Sequence, residues 1–258
     1  MIHHGICMLA LVPVRKEPSE RSEMVTQILC GETYEILEIQ DNWSLIRIFY
    51  DKYEGWINNK MISDLSEDRF HFINQQNSYV LKDAAYKCDI NKNTELNWIP
   101  GGSSFIVENS AYYLGNSELH NIPDSLLSHY HSAKNITDTA VQFLHSPYLW
   151  GGKSIFGIDC SGLTQVVYKI CGINILRDAS QQAEKGILIQ SLNQIQPGDL
   201  AFFKRDDGYI VHTGIILNSD TIIHASGKVR IDNIDSHGII NAQDKKYSHI
   251  LSHIRRMN

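Results

Sequence analysis

Within residues 157–173, GIDCSGLTQVVYKICGI, the apolar Leu163, Val166, Val167 and Ile170 follow the i, i+3, i+4, i+7 spacing of a helix with a buried face. Gly172 supplies a C-terminal stop. A second helical pattern precedes it in SLLSHYHSAKNITDTAVQFLH, with Ile136, Ala140, Val141 and Leu144 on one side and Pro147 ending it. After a short helix in ASQQAEKG come four strands: DLAFFKR, YIVHTGIIL, TIIHASG with KVRIDNI, and YSHILSHIRRM. Helices first and an antiparallel meander afterwards make an α+β layout.

The front of the chain reads differently. Residues 5–64 hold short β-rich runs (MVTQILC, TYEILEIQ, WSLIRIF, EGWINNKMI) punctuated by GE, QDN and YDKYEG. Residues 5–14 read as a first strand. About five strands in so short a stretch favour a small barrel over an open sheet. Residues 72–122 repeat the pattern more faintly, with PGG at 100–102 as a turn between strand-like runs. The expectation is two small β-barrels, 1–64 and 65–123, ahead of an α+β domain at 124–258.

A net charge of -6 with scattered Lys and Arg carries no basic stripe, which excludes a nucleic-acid footprint. No run of 18 apolar residues offers a membrane span, and no positive charge precedes the N-terminal apolar stretch, so cytoplasmic residence is expected. Five cysteines without paired spacing fit a reducing compartment. Cys160 and Cys171 share the predicted helix roughly 16 Å apart. A disulfide needs Cα atoms within about 7 Å, so that pair cannot bridge.

Cys160 stands at the first turn of the helix, where unsatisfied N–H groups and the helix dipole favour a thiolate and can hold an oxyanion. His212 and His224 lie in apolar strand-like runs, and each alone reads as a core histidine. Two such strands joined by NSD pair antiparallel, which makes the histidines near neighbours on one face. A nucleophile, a base and an orienting group are then available. A metal site would use the same residues, but the tight ligand spacings typical of zinc are absent around them. His129 and His131, the nearest tight pair, sit in a polar run read as solvent-facing.

PYLWGGKSIFGIDCSGLTQVVY, QPGDLAFF, HTGIIL and IIHASG, in that order over about 110 residues, resemble the NlpC/P60 cysteine peptidases. Thr213 stands where valine is common. The resemblance implies a papain-like domain, helices packed on an antiparallel sheet, with Cys160 as nucleophile, His212 as its base and His224 orienting the imidazole. The front half is similar to bacterial SH3-like domains, and the order resembles the subgroup that cuts γ-D-glutamyl-L-diamino acid bonds in murein peptides with a free N-terminal L-alanine. That implies a murein peptide substrate, no metal or cofactor, and a monomer.

On the same resemblance Asp178 would meet the substrate's ammonium, although Asp178 or Ser180 also serves as a helix cap. Tyr53 would reach the cleft, with Glu23 as a possible second carboxylate or simply a solvated loop residue. Asp159 and Ser161 would line the cleft or cap the helix, and Tyr148 and Trp150 would form its wall or pack beneath the helix. The competing readings are an exported wall-lytic endopeptidase or amidase, an idle cell-wall binding protein, and a related Cys–His acyltransferase.

Overall fold

The computed structural model describes residues 3–76, 78–90, 96–120, 122–129 and 135–257. Its contacts divide the chain into two units, Met1–Ser132 and Ala133–Asn258. No helix among the described residues is long and apolar enough to cross a membrane.

The first unit opens with β1 (His3–Ile6), β2 (Leu11–Arg15), β3 (Met24–Leu29), β4 (Thr33–Gln40), β5 (Trp43–Ile48), β6 (Glu54–Asn58) and β7 (Asp64–Leu65). They form one antiparallel sheet in the order β3-β2-β6-β5-β4-β1-β7. The single strand expected over 5–14 is two strands, because β1 pairs with β4 and β7 while β2 turns away to pair with β3. Val12, Val14, Ile28, Tyr34, Ile46, Ile48 and Ile57 close the core of this sheet.

A helix that the sequence reading did not include, α1 (Glu67–Gln75), follows. Ser66 caps it by accepting from the Arg69 N–H, and Glu67 and Asp68 complement the positive end of its dipole. Next come β8 (Tyr79–Leu81), β9 (Ala85–Ile90), β10 (Leu96–Pro100), β11 (Ser104–Glu108), β12 (Ala111–Leu114), β13 (Ser117–His120) and β14 (Leu127–His129). The second sheet has the order β10-β9-β13-β12-β11-β8-β14. Gly101 and Gly102 make the anticipated turn between β10 and β11, with Gly102 at φ +85°. Phe70 and Ile73 of α1 pack with Ile6, Leu65, Leu81 and Phe105, so one apolar cluster continues across residue 64.

Of the helical pattern expected over residues 125–145, the described residues hold α2 (Ile136–Val141), in the second unit and started by the Asn135 cap. Asp124–Leu126 is a 3-10 turn and His129 lies on β14; His131 falls outside the described residues. The small hairpin β15 (Lys153–Ser154) and β16 (Gly157–Ile158) leads into α3 (Cys160–Ile170), every residue of which is buried. Gly172, at φ +82°, ends it with the Ile173 N–H bonded to the Tyr168 carbonyl.

After α4 (Ala179–Gln182) come β17 (Ile187–Ile189), β18 (Leu200–Lys204), β19 (Ile210–Ile216), β20 (Thr221–Ser226), β21 (Lys228–Ile234), β22 (Gly238–Ile240) and β23 (Tyr247–Arg256). The expected meander is present, but it is not an open sheet. β22 pairs with both β21 and β23, which closes β18–β23 into a six-stranded barrel with β17 added outside β23. Ala201, Phe203, Ile216, Ile222, Ile234, Ile239 and Ile254 fill one apolar cluster of this sheet.

Candidate active site

Side chains alternate across a strand, so His212, Gly214 and Ile216 share one face of β19, Ile222 and His224 the same face of β20, and Asp232 and Ile234 that of β21. Ile216, Ile222 and Ile234 belong to the apolar cluster, and the two histidines and Asp232 continue its face. The strand register pairs Gly214 with His224, two residues from symmetric pairing of the histidines. The diagonal still brings the rings together, with His212 Nε2 2.8 Å from His224 Nδ1. A glycine at 214 is required there: a Cβ would lie 2.8 Å from the His224 Cβ.

Cys160 is a buried free thiol at the first residue of α3. The backbone N–H groups of Thr213, the residue after His212, and of Ser161 both favour its thiolate. Burial first, and the Asp159 charge second, outweigh them and push the thiol up to about 12. The helix start by itself favours a depressed thiol; burial and the Asp159 carboxylate one residue away reverse the sign. Cys171 is a separate matter, its thiol donating to Thr139 Oγ1 at 3.6 Å.

His212 is driven well below its ordinary value by burial, then by His249 and His224. His249, on β23, stacks on His212 with ring centroids 4.0 Å apart and 21° between planes. Burial, then competition with His224 for a proton, takes His249 down to about 4. Neutral imidazoles beside a protonated thiol make a resting site without an ion pair, in which His212 can accept the thiol proton as the sulfur attacks.

These depressed values fix a pH dependence of stability. Above about 6.5, the unfolded histidine value, their contribution is fully present; it is lost as pH falls below that, for His249 toward 4. Each histidine then removes about 1.4 kcal/mol per pH unit. Calorimetry at pH 7, 6 and 5 should show a falling Tm, with a shallower fall in His249→Phe; a Tm constant over this range contradicts the assignment.

Asp159 caps α3. Its Oδ1 accepts from the Gly162 N–H at 2.6 Å and its Oδ2 from the Gly151 N–H at 2.8 Å. Arg177, 1% exposed, forms a double contact with the same carboxylate at 3.1 and 2.6 Å and donates to Ser161 Oγ at 2.8 Å. The hydrogen-bonding capacity of Asp159 is therefore engaged by the helix start and by Arg177, a residue that the sequence reading did not single out.

Asp178 is the N-cap of α4, and the Gln181 side chain closes a capping box by accepting from the Asp178 N–H at 3.1 Å. Ser180 is not the cap; it falls inside the first turn because Gln181, three residues after Asp178, reaches back. Tyr148 is half-buried, and burial followed by the charges of Cys160 and Asp159 pushes its phenol up to about 12, which places it beside the nucleophile. Trp150 is 59% exposed, so it does not pack beneath the helix.

Tyr53 and Glu23 belong to the first unit. Tyr53 follows β5, its N–H bonded to Asp51 Oδ1 at 3.0 Å and its ring against the first core. Glu23 closes the β2–β3 turn, 3.8 Å from Lys16 Nζ.

His212, His224 and His249 bring one ligand atom each within 4.8 Å of one another. The near-parallel stacking of His212 on His249 stops both rings from aiming in-plane lone pairs at one ion, and the facing nitrogens of His212 and His224 share a hydrogen bond. As folded, the three do not form a metal cradle.

His249, Arg230 and Asp232 complete the surroundings. His224 Nε2 lies 2.9 Å from Asp232 Oδ2, and Arg230 Nε is 2.7 Å from the same oxygen. Residues alternating apolar and charged in KVRID, eight residues past His224, were the available signal for this carboxylate.

Comparison with known proteins agrees with this geometry. Residues 145–247 match the NlpC/P60 family and residues 14–62 the bacterial dipeptidyl-peptidase SH3 domain. Dipeptidyl-peptidase 6 of Lysinibacillus sphaericus is 26% identical over 93% of this chain and 95% of its own. The γ-D-glutamyl-L-lysine dipeptidyl-peptidase of Bacillus subtilis is 40% identical over 36% of this chain, which spans about a third (32%) of that relative's length. The crystal structure of an NlpC/P60 family protein from Bacillus cereus shares the fold, with TM-score 0.83 at 18% identity, covering 98% of this chain and 99% of that one. The chain thus carries an NlpC/P60 domain over residues 145–247 and, ahead of it, a bacterial dipeptidyl-peptidase SH3 domain over residues 14–62.

Proposed function

We propose that the chain hydrolyses the bond between γ-D-glutamate and an L-diamino acid, lysine or diaminopimelate, in murein peptides with a free N-terminal L-alanine. The observation that carries the reading is the hydrogen-bonded His212–His224 pair, with the backbone N–H of Thr213, the residue next to His212, bonded to Cys160, in a chain whose relatives include γ-D-glutamyl-L-lysine dipeptidyl-peptidases. Cys160 Sγ passes its proton to His212 and bonds to the γ-carbonyl carbon, while N–H groups at the start of α3 receive the oxyanion. The carbon–nitrogen bond then breaks as His212 returns the proton to the departing amine. Water hydrolyses the thioester, giving up a proton through His212, and the thiol is restored. Further parts of the proposal are a second, divergent SH3-like domain at 65–123, a monomeric state and a cytoplasmic role in recycling wall peptides.

In this reading Asp178, the N-cap of α4, supplies a negative charge for the substrate ammonium. Acetylating the N-terminus of L-Ala-γ-D-Glu-L-Lys should lower kcat/KM by about 100-fold or more. Asp178→Asn keeps a capping side chain while removing the charge, and should narrow that ratio. Equal rates on free and acetylated peptide would refute the free-amine reading.

A further inference from the structure

We propose that Asp232 is a positioning residue of this site: it sets the tautomer of His224 and, through it, that of His212. The argument rests on the reading of Cys160 and His212 as nucleophile and base.

Asp232 lies on β21 opposite Ile222, one strand beyond His212's neighbour and on the same face. Its carboxylate is clamped by donors. Oδ1 accepts from Arg230 Nη2 at 2.9 Å and from the Ala242 N–H at 2.8 Å. Oδ2 lies 2.9 Å from His224 Nε2, and Arg230 Nε, at 2.7 Å, adds charge there without hydrogen-bond geometry. Arg230 is itself anchored to Asn241 Oδ1 at 2.9 Å. Burial would raise this carboxyl, but the bonds from His224, Ala242 and Arg230 prevail and hold it well below the usual carboxylate range. An ionised carboxylate only accepts hydrogen bonds.

The consequence runs along the chain of nitrogens. Facing Asp232, His224 Nε2 must carry the hydrogen, so in the neutral ring Nδ1 holds the lone pair. That lone pair faces His212 Nε2 at 2.8 Å, which must therefore be the donor. The lone pair of neutral His212 is thereby assigned to Nδ1, the nitrogen left for the thiol proton. Two histidines alone have no such preference, because the bond between them forms equally well with either as donor. The carboxylate breaks that symmetry.

Asp232→Asn reverses the polarity. The Ala242 N–H and Arg230 Nη2 draw the amide oxygen to the Oδ1 position, which turns the amide NH2 toward His224 Nε2. His224 Nδ1 then carries hydrogen, His212 Nε2 accepts, and His212 Nδ1 is protonated, the wrong form for a base. Kinetics should show kcat lowered by about a thousandfold with KM little changed, as expected of a wrong-tautomer base.

The direct test is 15N–1H correlation of the ring nitrogens in the full chain near neutral pH. The wild type should show His212 unprotonated at Nδ1 and protonated at Nε2, and Asp232→Asn should show the reverse. Wild-type protein with hydrogen on His212 Nδ1 overturns the proposal even if the variant does not fold. So does a folded variant that keeps the wild-type tautomers and kcat. The spectra need no substrate, so their failure is separable from a failure of the peptidase reading, which the tripeptide assay alone decides.

Discussion

Cys160→Ala should lower hydrolysis of L-Ala-γ-D-Glu-L-Lys to background, a loss of at least about 10⁴-fold, while leaving peptide affinity within a few-fold. Removing the sulfur deletes the covalent route altogether, whereas the groups that hold the peptide remain. The raised thiol value adds a second signature. With Cys160 pushed up to about 12, the neutral thiol dominates at every physiological pH, and alkylation by iodoacetamide should quicken steadily from pH 7 to 10. A rate already level below pH 7 would indicate a preformed thiolate–imidazolium pair and contradict the neutral resting state.

Arg177→Met should be the most destabilising of the charge changes, by about 3–5 kcal/mol. The Asp159 carboxylate is buried against two backbone N–H groups and the guanidinium, and the variant leaves its charge without a counterion. Asp159→Asn together with Arg177→Met removes both charges and should recover part of the loss, since the amide oxygen still caps the helix. Urea unfolding of the two single variants and the double variant measures this directly. A loss below about 0.5 kcal/mol in Arg177→Met would show that water reaches the pair and that the clamp is not what holds the start of α3.

Much of this site was legible because its signals are local and strong. The α3 pattern placed Cys160 at a helix start, and two apolar strands joined by a tight turn placed His212 and His224 on one face. Legibility failed where an element is short or a partner distant. β22 is three residues long and carries little pattern of its own, yet it alone turns the meander into a barrel. α1 is short and weakly amphipathic, betrayed chiefly by its Ser66 cap and the two acids behind it.

The electrostatics were harder still. A helix start promises a depressed thiol, but burial and Asp159 reverse the sign, and neither is visible in the spacing of residues around Cys160. His249 reaches His212 across the closed sheet from β23, the last strand of the barrel. Arg177 reads as a surface residue until the loop before α4 folds it against Asp159. Asp232 announces itself only once β20 and β21 are paired.

The central claim, that Cys160 is acylated by the γ-D-glutamyl group, is tested most directly by rapid quenching with L-Ala-γ-D-Glu-L-Lys and intact-mass analysis. The account predicts a transient L-alanyl-γ-D-glutamyl adduct mapped to Cys160, with free lysine released alongside it and the free dipeptide L-Ala-D-Glu as the final product. Hydrolysis undiminished in Cys160→Ala, or cleavage between alanine and glutamate instead, would contradict it.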